Sequence, residues 1–105
     1  MKIYLAGPMT GYENFNMPAF MEKAKQLREH GHEVFNPIEA DIEEYGDIVQ
    51  AMKLATYHVC LKKDLDWICD HAEGIYMMDG WRESKGSLVE YALAKALKLE
   101  VMYGN

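Results

Sequence analysis

Glu90 is the residue whose type and setting most directly suggest chemistry. A short apolar run, 75–78, leads into a turn-rich loop, 79–86, that carries Trp81 and Ser84, and a helical pattern follows from Ser87. The run reads as a buried strand. Strand, glycine-bearing loop and helix start, in that order, build a place where open α/β sheets bind ligands. A carboxylate in the first turn of such a helix can act as nucleophile or base, and the positive end of the helix tends to keep it ionised. The same spacing also has a purely structural reading. Ser87-x-x-Glu90 is the pattern of a capping box, in which the carboxylate bonds back to the Ser87 amide. One rotamer cannot serve both uses, so the side chain's partner decides between them.

Other candidates are weaker when taken singly. Asp64 sits in the run Lys62-Lys63-Asp64-Leu65-Asp66, which reads as a solvated face of mixed charge, although the apolar stripe Leu61, Leu65 and Ile68 passes beside it. Tyr4 lies in an apolar run and reads as core unless its hydroxyl reaches a partner. His30, His32, Cys69 and His71 lack the spacing of a zinc site, so neither metal nor cofactor is expected. The chain has no Gly-x-Gly-x-x-Gly, no Walker pattern and no Gly-x-Ser-x-Gly elbow.

The elements that must position these groups alternate. Residues 2–6, 33–35, 74–78 and 100–103 read as strands, and 18–30 and 87–99 as helices. Pro18 suits a first helical turn and Gly31 a C-terminal cap. Asn36-Pro37 reads as the end of the second strand. The acidic stretch 38–46 reads as a loop with a helical turn. Residues 47–71 read as two helices or one bent helix, because Thr56, Tyr57, His58 and Val59 form helix poorly. The alternation predicts an α/β, doubly wound sheet of the Rossmann or flavodoxin type, with about four parallel strands flanked by helices. Strands one and three are then neighbours, and the loops 7–16 and 79–86 face each other across the switch point.

Size and charge bound the function. A chain of 105 residues fits a single domain, 1–105. Its core is modest, and dimerisation would bury more surface. The formal charge of −6, from 11 basic and 17 acidic residues, argues against a nucleic-acid polymer as partner, though not against one small phosphate held by backbone amides. Eight methionines read as adaptable core filling. No signal peptide and no membrane-spanning run is expected, which points to the cytoplasm, with Cys60 and Cys69 reduced.

Several pieces together resemble a known group. Lys2-Ile3-Tyr4-Leu5-Ala6-Gly7-Pro8, then Asp64-Leu65, then Gly80-Trp81 with Ser84-x-Gly86-x-x-x-Glu90, resemble the nucleoside 2-deoxyribosyltransferase-like superfamily. More closely, they resemble its small phage and bacterial DUF4406 proteins. The resemblance spans nearly the whole chain, with specific motifs at the two ends and a loose middle. It implies cleavage of the N-glycosidic bond of a 2′-deoxynucleoside or its 5′-monophosphate, by hydrolysis or by transfer to another base. Glu90 then corresponds to the nucleophile, Asp64 to the acid that assists departure of the base, and Tyr4 to the residue that orients the nucleophile. Gly7, Pro8 and Met9 correspond to the loop lining the sugar and base pocket. Ser84 occupies a position that is serine in the nucleotide-hydrolase branch, where it helps hold the 5′-phosphate, and acidic in the transferase branch.

The resemblance also implies a homodimer or higher oligomer, since superfamily members build sites at subunit interfaces. The transferases complete theirs with a C-terminal extension of the neighbouring subunit. Here the sequence runs only to Asn105, which leaves its terminus to serve, the base pocket open or activity lost. Trp81 has no counterpart in the best-characterised branch and either stacks on a ligand ring or plugs its loop. The retaining mechanism sets the Asp64 and Glu90 carboxyls about 5–8 Å apart. The alternative is a binding module that senses or sequesters a nucleotide-like metabolite without turnover. A structural or subunit-interface protein is the blandest option, and the full set of pocket motifs speaks against it.

Overall fold

The structure, a computed structural model, describes residues 1–104. Asn105, whose terminus the resemblance offers for completing the site, lies outside the described residues. Four strands, β1 (Lys2–Ala6), β2 (Glu33–Phe35), β3 (Gly74–Met77) and β4 (Glu100–Tyr103), form one sheet in the order β2-β1-β3-β4. All three pairings are parallel. The flanking helices are α1 (Met17–Glu29), α2 (Pro37–Tyr45), α3 (Ile48–Leu54), α4 (Tyr57–His71) and α5 (Lys85–Ala96). This is the α/β arrangement of parallel strands and helices that the alternating pattern predicts.

The two central strands, β1 and β3, bury both faces, which is why they are continuously apolar rather than alternating. Leu5 turns to Phe20, Ala24 and Ile38 on the face covered by α1 and α2. Tyr4 and Ala6 turn to Ile68 and Ala94 on the face covered by α4 and α5. The two-residue period of β1 therefore aims the Tyr4 phenol at the helices that carry Asp64 and Glu90.

Two local expectations are corrected, and an alternative left open between them is resolved. Residues 38–46 are not a loop with a helical turn: α2 spans nine residues. Asn36-Pro37 starts this helix as well as ending β2, since Asn36 Oδ1 accepts from the Ile38 amide at 3.0 Å and Pro37 fills the first helical position. The region 47–71 is two helices. The break falls at Ala55-Thr56, where Thr56 caps α4 by accepting from the Val59 amide, so a cap rather than poor propensity makes it. Finally, α5 starts at Lys85, not Ser87. Ser84 Oγ accepts from the Ser87 amide at 3.2 Å as the N-cap. Glu90 consequently stands in the second turn of α5, not the first.

The loops after β1 and β3 touch. Gly80 has φ +85°, and a Cβ there would lie 2.5 Å from the Tyr12 hydroxyl and 3.1 Å from Pro8 Cγ. Gly80→Ala is expected to cost about 1 kcal/mol through the left-handed backbone, because Tyr12 is half exposed and can swing aside. A urea melt measures this, and unchanged stability would mean that the loop relaxes freely.

Candidate active site

A cavity of about 810 Å³ opens between the two loops at the carboxyl edge of the sheet. Gly7, Pro8 and Met9 line it from the first loop, Ser84 and Gly86 from the second, and Tyr4, Asp64 and Glu90 from the floor. Gly86 leaves little room: a Cβ there would sit 3.2 Å from the Tyr57 hydroxyl. One sequence candidate lies elsewhere. Trp81 does not line the cavity; its buried ring packs on Tyr91 at 4.7 Å, with Tyr103 nearby and the Arg82 guanidinium over its face. Of its two readings, the loop plug is the one these contacts fit.

Glu90 is only 5 % exposed, and its partner is Tyr4. The Tyr4 hydroxyl, 86 residues away in sequence, donates to Glu90 Oε2 at 2.7 Å. The capping-box reading therefore fails: Ser84 is the N-cap, and the Glu90 carboxyl is held by the sheet. Tyr4 is itself fully buried. Burial, then the charges of Glu90 and Asp64, hold its phenol well above the usual range, so it stays a donor.

Burial is also the main reason why both carboxyls are reluctant to ionise. It pushes Glu90 up to about 8, Asp64 adds to the rise, and the Tyr4 hydrogen bond opposes it. It pushes Asp64 up to about 7, with Asp41 adding to the rise and Lys63 and Tyr4 opposing it. Two carboxyls so placed titrate as a pair. Around neutrality the pair holds one proton, so an acid and a carboxylate face the same cavity. Asp64 Oδ1 is buried with no hydrogen-bond partner among the described residues. An unsatisfied buried acceptor of this kind calls for a functional explanation.

Behind Asp64 lies a group that the sequence reading missed. Asp41, on α2, is 4 % exposed and accepts from Lys63 Nζ at 2.9 Å, while Glu44 accepts from the same ammonium at 3.0 Å. The reading of 38–46 as mostly loop hid this pair, although Asp41 and Glu44 fall one helical turn apart. Lys63→Met is expected to lose about 2 kcal/mol of stability by stranding a buried carboxylate. A denaturant melt checks this, and unchanged stability would contradict it.

The described residues contain no cluster that could hold a metal ion, and none of their helices is long and apolar enough to cross a membrane. Cys60 and Cys69 are both free thiols.

No curated protein and no solved structure gives a significant match to the chain. The sequence model of one family, described as Domain of unknown function (DUF4406), matches residues 1–103. With nearly the whole length matched, the chain belongs to the DUF4406 family.

Proposed function

We propose that the protein cleaves the N-glycosidic bond of a 2′-deoxynucleoside or its 5′-monophosphate. The observation that carries this reading is the pair of raised carboxyls in one cavity, with Glu90 tethered by a buried tyrosine. Pure binding needs no such pair, whereas retaining glycoside chemistry does. The motif resemblance to the nucleoside 2-deoxyribosyltransferase-like superfamily supports the same reaction.

The steps follow from the groups present. The Glu90 carboxylate attacks C1′ as the C1′–N bond breaks, and Asp64 gives its proton to the departing base. The result is a glycosyl ester on Glu90 and an ionised Asp64. Water, or the ring nitrogen of a second base, then attacks C1′; Asp64 takes the proton released, and Glu90 leaves as carboxylate. In the empty cavity the two carboxyls differ little, with Asp64 the lower. We assign the charge to Glu90 in the substrate complex because Tyr4 donates to it, and the proton to Asp64 because the base supplies the acceptor that Asp64 lacks.

A 5′-phosphate would lie at the start of α5, where Ser84, Lys85 and Gly86 line the cavity and the free amides favour an anion. The same reading includes a homodimer, since Tyr57, Val59, Leu88 and Val89 expose apolar side chains. Light scattering should then give about twice 12.1 kDa, and the monomer mass would count against it.

The test of function is a panel of 2′-deoxynucleosides and their 5′-monophosphates, incubated with the protein and with Glu90→Ala, reading free base. Release that vanishes in the variant supports the glycosidase. Binding without release would favour a sequestering module.

A further inference from the structure

Asp41 is the buried charge that the glycosidic steps leave unused. It lines the same cavity as Asp64, and of the charges around Asp64 its carboxylate does most to raise that group's pKa. Lys63 bonds its Oδ1 at 2.9 Å and is itself held charged by Asp41 and Glu44. The Lys63 ammonium thus sits directly on the Asp41 carboxyl. A buried ion pair is weak support for a fold, so stability alone does not account for a charge on this wall. A carboxylate paired with an ammonium offers only acceptors of hydrogen bonds.

Its place in the cavity gives that acceptor a use. Ser84 to Gly86 and Glu90 stand along α5, so phosphate and sugar would run along that side. The base would then reach the opposite wall, built from Pro37 and Asp41 on α2, Ala51 and Met52 on α3, and Cys60 and Asp64 on α4. There the acid Asp64 presents a donor and Asp41 an acceptor beside it. A ring nitrogen next to an exocyclic amine satisfies both. A ring nitrogen next to a carbonyl sets one oxygen against the Asp41 carboxylate.

We propose that Asp41 is a specificity-determining residue, and that the substrate class is a 2′-deoxynucleotide whose base carries an exocyclic amine beside the ring nitrogen facing Asp64. The inference rests on the glycosidase reading above for the direction in which the base points. Adenine and cytosine have this edge. Hypoxanthine keeps a free ring nitrogen, N7, beside a carbonyl in place of the amine, which makes it the matched opponent of adenine; uracil also carries the carbonyl, but its N3 bears a hydrogen, so it loses the acceptor for Asp64 as well.

The experiment compares 2′-deoxyadenosine with 2′-deoxyinosine monophosphate, and 2′-deoxycytidine with 2′-deoxyuridine monophosphate, on the unaltered protein and on Asp41→Asn. In the preferred pair, the unaltered protein is expected to favour the amine by about 30-fold or more in kcat/KM, because a carbonyl leaves a buried acceptor unpaired and opposed. Asp41→Asn, whose amide can also donate, should bring the adenine-to-hypoxanthine ratio to within about threefold, and should lower the cytosine-to-uracil ratio by less, since uracil N3 still cannot accept from Asp64. Equal or better turnover of the carbonyl partner by the unaltered protein overturns the proposal without needing the variant to fold. A ratio that survives in a folded Asp41→Asn overturns it as well. Calorimetric binding of the same four nucleotides separates the two readings. An amine preference in Kd with no base release keeps Asp41's role and removes the glycosidase. No binding of any nucleotide removes both.

Discussion

Glu90→Gln is expected to lower base release by about a thousandfold or more, as loss of a covalent nucleophile does, while making the fold more stable at neutral and alkaline pH. The two effects share one cause. Glu90 is buried, and its pKa is pushed from an ordinary 4.5 up to about 8. The folded state therefore holds this proton more tightly than the unfolded chain does. Below the unfolded value both states are protonated and the group is neutral in effect. As pH rises from about 4.5 to about 8, the unfolded chain gives up the proton more readily and stability falls. Gln carries no charge to bury and still offers an oxygen to the Tyr4 hydroxyl. The stabilisation should be near zero at about pH 4 and reach about 2 kcal/mol at about pH 8, a figure kept below the full shift because Asp64 shares the titration. Melting curves across that range measure it. A variant that is less stable at every pH would mean that the Tyr4–Glu90 bond contributes more than the buried charge costs.

The second large effect is expected from Asp64→Asn. On the proposed mechanism only the singly protonated pair is active, so kcat/KM of the unaltered protein should describe a bell whose limbs fall near the pair's values, about 7 and about 8. Above the upper limb the acid is gone; below the lower limb the nucleophile is protonated. Asn cannot supply the proton, so release should fall by about a hundredfold, most for bases that leave poorly. The alkaline limb should disappear. The acid limb should stay close to its place, because Asp64 is already uncharged in the form that loses that proton and Asn is uncharged too. An Asp64→Asn profile that keeps both limbs would place the acid elsewhere in the cavity.

Much of the frame was legible because it rests on local pattern. The continuous apolarity of β1 and β3 marks strands covered on both faces, and the alternation with helices allows few topologies. That β1 and β3 are neighbours, and that their following loops share a cavity, follows from the same alternation. The misread parts turn on single residues with two uses. Asn36-Pro37 can end a strand or start a helix, and it does both. Ser84 and Ser87 can each cap a helix, and spacing to Glu90 favoured the wrong one. The Tyr4–Glu90 bond spans 86 residues, so no periodicity could show it; the motif resemblance alone pointed to it. Asp41 and Lys63 stayed hidden because their helices meet only in three dimensions. Trp81 offered an aromatic face in a ligand loop, and the tyrosines that claim it lie further along the chain at 91 and 103.

The assignment of Glu90 is tested most directly by trapping the sugar on it. The protein would be incubated with a preferred 2′-deoxynucleotide and with its 2′-fluoro-arabinosyl analogue, in which the fluorine slows departure of the sugar. After an acid quench, the peptide carrying Glu90 would be weighed by mass spectrometry. The expected result is that peptide with one sugar phosphate added, present in the unaltered protein and absent in Glu90→Gln. Base release from the true substrate with no adduct on Glu90 would contradict the retaining mechanism and leave the carboxylate, at most, as the base that activates water.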